Sequence, residues 1–531
     1  MTRFRSIAFV VAGSLAGGLV LAWLDGKGFS LAGSLGYAVL LALSLAAIVW
    51  THRSVSGNEP MRAALVLAVG AMVLRLAVGL ALARALPVYG YAENPQKAGY
   101  VFWDSYKRDA DAWQRARGDL PLLSAFTSPK VSDQYGGLLF VSAASYRYLS
   151  GGVQRPLMVV VLTAAASALG VLFIGGLARV RWDPAAAAAA AWIAALFPES
   201  VLLGASQMRE PFLIAGLAIS LYGYVLSRER RTAGGIAWLV GGLLVLLFFS
   251  PPTALAGAAV IGLLAVWEGR ERPRIPRWVW WLGIPFALAG LLLAIRSWAR
   301  LEEISGTFGQ VLLQWWQNAG ASWRVGQAAA GSDMLQVMLD RLPSALRLPF
   351  LIAYGLVQPF LPAAIAAPGN TLWKTIAILR SLGWFAVIPA LIYGTVAAIR
   401  RMGWRSLEAY LGILIWVTAL LASYRAPGYQ WDNPRYRTVF LAAQAGLVAW
   451  AWLSARITRD RWLGRAYICL CIATAIVLYW YLGRYAGLPG LSLEATMAAA
   501  VLGVGGYAAA CILADRRARP AQAAGTGRAD V

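Results

Sequence analysis

Histidine is almost missing from this chain of 531 residues: there is one, His52. That single residue sits at an expected helix end, so a histidine-built metal centre or a Ser-His-Asp triad is all but excluded. Cysteine is nearly as scarce. Cys469, Cys471 and Cys511 are too few for a disulfide framework, and all three lie in apolar runs, as small buried hydrophobes do. Charge is thin as well, at 13% of residues, and it leans to one sign, with 47 Lys and Arg against 24 Asp and Glu. What fills the chain instead is apolar: 60% of residues are hydrophobic and the mean hydropathy is +0.62. This is the profile of an all-α polytopic membrane protein, not of a soluble multidomain chain.

The net charge of +23 raises nucleic acid as a partner. The distribution of the charge rejects it. Basic residues fall in short clusters between apolar runs, such as Arg3 and Arg5, Arg179 and Arg181, Arg228 to Arg231, Arg270 to Arg277, Arg400 to Arg405, Arg456 to Arg465, and Arg516 to Arg519. That is the pattern that fixes topology, with cytoplasmic loops basic. The partner it implies is the lipid bilayer.

A hydrocarbon core about 30 Å thick needs roughly 20 apolar residues per helix. With Arg3 and Arg5 inside, spans are expected near 6–24, 31–50, 63–86, 156–179, 185–203, 211–227, 234–249, 254–268, 278–296, 376–399, 406–423, 438–455, 466–482 and 492–513. The first resembles a signal peptide in charge order, but its long apolar run fits an uncleaved helix. The count is about 14, with both termini cytoplasmic in a bacterial-type plasma membrane. Two long loops then lie outside, at 87–135 and 297–345, and both carry amphipathic patterns expected to form helices at the membrane surface. Two further apolar pieces, at 135–152 and 348–364, start outside and also end there; they are re-entrant, interfacial, or an extra pair of spans. Residues 1–62 form an accessory helix pair, 63–513 the main transmembrane domain, and 514–531 a disordered tail.

Chemistry-bearing residues gather in the outer loops. "FWDSYKRDADAWQRARG", residues 102–118, holds three acids. On a helix, residues three and four apart share a face. Asp104 then has Lys107 and Arg108 as neighbours, and Asp111 has Lys107, Arg108 and Arg115. Asp109 meets Ser105, Tyr106, Ala112 and Trp113, with no local cation. It either faces water or takes a partner from elsewhere. In "FPESVLLGASQMREP", Glu210 followed by Pro211 reads as a helix start, and Arg209 as an outer arginine. In "YRAPGYQWDNPRYRTVF", Arg425, Arg435 and Arg437 break the positive-inside pattern. Guanidinium groups so placed suit an anionic ligand at the interface, or anchor the chain there. Arg75 stands near the middle of an apolar run.

Taken in order, these segments resemble the GT-C glycosyltransferases, in particular the family-39-like branch of protein mannosyltransferases and lipid A aminoarabinose transferases. "DADAWQRA", Asp109 to Ala116, is similar to the acidic motif of that family's first outer loop. "QYGGLLFVSAASYRYLSG" stands at the helix entry where the family shows prolines, with Gly136 and Gly137 in their place. "AAAAAAAWIAALFPESVLLGASQMREPFLIAGLAI" and "NPRYRTVFLAAQAGLVAW" resemble two later segments. The match covers roughly 63–230 and 424–450.

The resemblance implies a GT-C-like bundle that uses a polyprenyl-phosphate sugar donor at the extracytoplasmic face. The acceptor is not implied. Transfer with inversion needs a base for the acceptor hydroxyl and a group to stabilise the leaving phosphate. The expected base is Asp109, supported by Asp111 or Asp104. Arg435 and Arg437, with Arg209 and Lys107 or Arg108, are expected to hold the phosphate. A divalent cation on Asp109 and Asp111 is a lesser option, as is a double-displacement route. Competing functions are a polysaccharide polymerase or ligase using lipid-pyrophosphate donors, and a lipid-linked-glycan flippase or other transporter. Transport is disfavoured because the spans carry few charges.

Overall fold

The computed structural model describes residues 2–56, 62–127, 133–269, 342–426 and 431–526, with Gln310, Leu313, Leu339 and Asp340 between them. The expected span 278–296 and most of the expected outer segment 297–345 lie outside these residues. Helices run throughout, and no β-sheet occurs among the described residues. They are α1 (Thr2–Leu24), α2 (Leu31–Ser56), α3 (Arg62–Tyr89), α4 (Asn94–Lys97), α5 (Trp103–Arg117), α6 (Ser124–Thr127) and α7 (Gly137–Leu149). Next come α8 (Leu157–Arg181), α9 (Pro184–Leu196), α10 (Pro198–Gly204), α11 (Glu210–Arg230), α12 (Ala233–Phe249) and α13 (Pro251–Trp267). The last are α14 (Ser344–Val357), α15 (Leu361–Ala366), α16 (Thr371–Met402), α17 (Leu407–Arg425), α18 (Asp432–Thr438), α19 (Leu441–Ile457), α20 (Trp462–Ala486) and α21 (Leu493–Thr526).

Eight helices, α2, α3, α8, α11, α16, α17, α20 and α21, are long and apolar enough to cross a bilayer. Counting the bent pairs α9–α10 and α18–α19 as single spans, with breaks of 56° and 72°, raises this to ten. The protein is integral to the membrane, but the described residues do not reach fourteen spans. Helices α12 and α13 have 17 residues each. At about 1.5 Å per residue each rises only about 25 Å, short of the ~30 Å core. Helix α21 continues to Thr526, into the segment expected to be a disordered tail.

The core centres on α8, α9, α11, α16, α17 and α19. Helix α9 is nearly all alanine, and Ala186, Ala187, Ala190, Ala191, Ala194 and Ala195 are buried. Small side chains let its backbone approach α8 and α19 closely, which is how helices pack where lipid offers no hydrophobic drive. Asp183 caps its start by accepting from Ala186 N at 2.7 Å, with Pro184 in the first turn. Pro198 ends it. The carbonyls of Ala194 and Ala195 then lack helical donors, and Arg75 from α3 supplies them at 3.2 and 3.0 Å. The same guanidinium reaches Ser200 Oγ at 3.0 Å. Arg75 is 0% exposed and works as a helix cap.

The accessory pair α1–α2 shares a second core with α3 and α8, through Ala22, Tyr37, Leu40, Ile48, Met72 and Met158. At one end of the bundle the α1–α2 loop is fastened by a buried ion pair between Asp25 and Arg155. Arg155 also donates to Gly28 O at 2.8 Å and Ser30 Oγ at 3.0 Å. This end also carries α4, α5, the loop before α8, and α18. The opposite end holds a different set of pairs: Arg181 with Glu408 and Glu229, Arg401 with Asp460, and Arg228 with Glu268.

Candidate active site

Helix α5 is amphipathic in an unusual sense. Its buried face, Ser105, Arg108, Asp109, Ala112 and Arg115, repeats at helical spacing but is mostly polar. Such a face survives burial only if its polar groups find partners. Ser105 and Arg108 both donate to the Gln207 carbonyl, at 3.3 and 3.2 Å. Arg115 donates to Ser124 Oγ. Burial is the main force pushing the Arg108 guanidinium below its ordinary pKa.

Asp109 is 2% exposed and takes three side-chain donors. Tyr100 Oη lies 2.8 Å from Oδ2, Gln154 Nε2 lies 2.5 Å from the same oxygen, and Tyr146 donates to Oδ1. Burial raises its pKa, and the three hydrogen bonds offset part of that rise. Tyr146 belongs to α7, so Asp109 ties α5 to α7. At 13 residues α7 is too short to span, which resolves the apolar piece at 135–152 as a packed helix rather than a pair of spans. The two glycines at its start are required. Gly136 has φ +83°, and a Cβ there would sit 2.4 Å from the Ala125 carbonyl oxygen. A Cβ on Gly137 would sit 2.3 Å from that of Phe248.

The neighbouring acid faces the other way. Asp104, at the first turn of α5, has a side chain 48% exposed. Of its helical neighbours, Lys107 lies over the Trp103 ring, 5.1 Å from the centroid, and Arg108 donates to the Gln207 carbonyl while remaining within electrostatic reach of Asp104. Asp104 meets Arg435, 331 residues away, at 3.2 Å. Two more carboxylates surround that guanidinium. Glu210 Oε1 lies 3.2 Å from Arg435 Nε, and Asp432 Oδ1 lies 3.6 Å from Nη2. The Glu210 contact has ion-pair distance without hydrogen-bond alignment, so Arg435 Nε and the buried Glu210 Oε2 both lack hydrogen-bond partners among the described residues. Three elements build this cluster: α5, the start of α11, and α18, which packs against α10 and α17.

Arg437, two residues beyond Arg435 and so on the other side of α18, is spent on the protein interior. It donates to the carbonyls of Leu356 (3.3 Å) and Gln358, and lies 3.6 Å from the Trp384 ring centroid. Beside it, Arg380 and Glu199 form a buried two-bond ion pair at 2.6 and 3.1 Å, with the Arg380 guanidinium 4.3 Å from the Trp431 centroid.

Two arginines near this cluster make no ion pair among the described residues and lie over tyrosine rings instead. Arg209 lies over Tyr135 (5.0 Å), and Arg425, which is exposed, lies over Tyr436 (5.4 Å). Both pull against the burial that raises the Tyr135 pKa, so both guanidinium groups are within electrostatic reach of that ring. The result is a charged cluster: Arg435 among Asp104, Glu210 and Asp432, with Arg209 and Arg425 near them.

The expected site residues therefore separate. Asp104, Arg435, Arg209 and Arg108 belong to one charged cluster. Asp109 is walled off behind α5. Asp111 is half-buried elsewhere on that helix, Lys107 points outward, and Arg437 faces inward. A cation on Asp109 and Asp111 does not fit, because both Asp109 oxygens already accept hydrogen bonds. No group of three His, Cys, Asp or Glu side chains suited to a metal occurs among the described residues.

Among solved structures, the chain is similar to an archaeal oligosaccharyltransferase. That protein is AglB from Archaeoglobus fulgidus, in complex with an inhibitory peptide and a dolichol-phosphate. The TM-score is 0.33 at 15% identity, covering 82% of this chain and 54% of that one. This chain thus spans about half of that protein's length. No protein-family model and no curated protein matches the sequence.

Four residues of the cluster carried no assigned chemistry in the sequence: Glu210, Asp432, Tyr135 and Tyr436. Glu210 was absorbed by its helix-start signal, which is real, since α11 begins there with Pro211 in the first turn. Its second partner, Arg435, lies 225 residues further on, beyond any local spacing rule.

Proposed function

We propose that this protein is a membrane glycosyltransferase that moves a sugar from a polyprenyl-phosphate donor to an acceptor hydroxyl at the extracytoplasmic face. The observation that carries the reading is the charged cluster itself. A half-exposed carboxylate, Asp104, pairs with Arg435, and two further arginines of the cluster, Arg209 and Arg425, make ring contacts and no ion pair among the described residues. Basic clusters at the opposite end support the orientation, with both termini cytoplasmic. The order of motifs shared with GT-C enzymes supports the chemistry.

In this reading Asp104 takes the proton of the acceptor hydroxyl. The oxygen attacks the anomeric carbon, the bond from that carbon to the phosphate oxygen breaks, and its electron pair leaves on the phosphate. Arg209 and Arg425 hold that growing charge with bidentate donors. Arg435 holds Asp104, Glu210 and Asp432 in place, because three acids so close need a central cation. Asp109 is a positioning residue, fixing α5 through Tyr100, Tyr146 and Gln154. Arg75 argues against transport: the charge buried in the bundle caps α9 and lines no path.

The test uses the purified full chain in detergent with a polyprenyl-monophosphate sugar and a set of hydroxyl acceptors. Sugar transfer is expected, with donor affinity lowered at least tenfold, roughly, by Arg209→Ala combined with Arg425→Ala. Donor binding unchanged in that double variant refutes the phosphate assignment. Transfer only from pyrophosphate donors replaces the reading with a polymerase or ligase.

A further inference from the structure

A cavity of about 240 Å³ lies at the same end of the bundle, and none of the charged-cluster residues lines it. Its walls come from the α1–α2 loop, the end of α3, the turn at 98–101, the start of α8 and the end of α10. The inner part is apolar, with Leu80, Leu82, Leu157 and Val160. The exposed part carries Lys27 and Arg84. Asp25 also lines it, but that acid is neutralised by Arg155 inside the protein. Arg84 gives one hydrogen bond to the Leu24 carbonyl, 2.7 Å, and meets no carboxylate among the described residues. The Lys27 ammonium has no partner among them either. The cavity thus joins an apolar interior to a mouth with two positive charges, near the end of the membrane-length helix α3.

We infer that this cavity binds the phosphate group and upper chain of an anionic membrane lipid, and that the accessory pair α1–α2 completes the site. Lys27 comes from the accessory pair and Arg84 from α3, so neither segment alone supplies both cations. The Asp25–Arg155 pair does the remaining work. It holds the loop over the cavity while cancelling the acid in the lining, and the nearby Asp109 lies behind Tyr100, from which it accepts a hydrogen bond. A zwitterionic headgroup meets the same two cations with no net charge of its own, and gains little from them. The inference is independent of the proposed transfer reaction, because it concerns a different set of residues and is read by binding rather than turnover.

Native mass spectrometry of the full chain tests it, after delipidation and addition of phosphatidylglycerol, undecaprenyl phosphate or phosphatidylcholine. Retention of either anionic lipid above phosphatidylcholine is expected, and the one retained identifies the source of the phosphate. Retention should fall about fivefold for each cation removed in Lys27→Ala and Arg84→Gln. Equal retention of phosphatidylcholine overturns the inference, as does undiminished retention in the double variant. Should that variant not fold, Ala83→Leu decides: it keeps both cations and narrows the cavity, so lipid retained at the wild-type level refutes the site.

Discussion

Two neighbouring acids on α5 separate catalysis from architecture, and the variants Asp104→Asn and Asp109→Asn are predicted to behave oppositely. Asp104 is half-exposed and is one of three carboxylates around Arg435. An exposed pair of this kind contributes about 0 to 1 kcal/mol, and Glu210 and Asp432 still neutralise Arg435 after the change. Stability should therefore move by less than about 1 kcal/mol. Loss of a general base costs about 10²- to 10⁴-fold in rate, so turnover should fall by that factor. Asp109 is the reverse case. Its two oxygens accept from Tyr100, Gln154 and Tyr146. An Asn amide turns one of those oxygens into a donor facing donors, at about 1–3 kcal/mol for each unmatched group. A loss of about 2–4 kcal/mol should follow, with activity in the surviving folded fraction near wild type. The assay is turnover on a polyprenyl-phosphate sugar beside thermal unfolding in the same detergent. Wild-type turnover by Asp104→Asn refutes the base assignment. A stable but inactive Asp109→Asn transfers the role to Asp109.

Glu199→Gln leaves Arg380 buried opposite a neutral group and should cost about 3–5 kcal/mol. Adding Arg380→Met should recover most of that loss in apparent Tm, whereas an additive loss would show that the pair does not act as a unit. The raised pKa of Asp109 makes stability pH-dependent. For an acid whose folded pKa lies above its ordinary value of 3.8, the stabilising contribution is complete below that value and is lost as pH rises through the folded pKa. Wild-type Tm should accordingly decline against that of Asp109→Asn as pH is raised from about 4, and parallel curves would remove the claim.

Helix positions were legible because apolar length and basic flanks act locally. The runs expected at 31–50, 211–227 and 406–423 appear as α2, α11 and α17 with ends shifted by a few residues. Short helices were harder: α7 and α14 are apolar enough to look like half-spans, and only packing shows their length. Within the site, local spacing gave Asp104 its cations in Lys107 and Arg108; Lys107 lies over Trp103, while Arg108 donates to the Gln207 carbonyl and stays within electrostatic reach of Asp104. The same spacing left Asp109 without a cation, facing either water or a partner from elsewhere. The distant partners are two phenols and an amide, a set no charge pattern reveals. The arginine-rich loop at 424–440 stood out as an exception to the topology rule. Which of its arginines meet the charged cluster is a tertiary matter: Arg435 reaches Asp104 and Glu210, whereas Arg437 turns to the Leu356 and Gln358 carbonyls.

Arg75 has a consequence for the order in which the chain is made. Its carbonyl partners on α9 lie about 120 residues further along, so they do not exist when α3 first meets the bilayer. An arginine at the centre of a membrane helix costs about 2.5–3.5 kcal/mol on insertion. Until residues 194–200 are synthesised, α3 must carry that cost through its own apolar length or wait beside the insertion machinery. The step that relieves it is the arrival of the alanine helix and its proline break. Biogenesis of this protein is thus ordered by one side chain: α3 gains its settled place in the bundle only once α9 has followed it into the membrane.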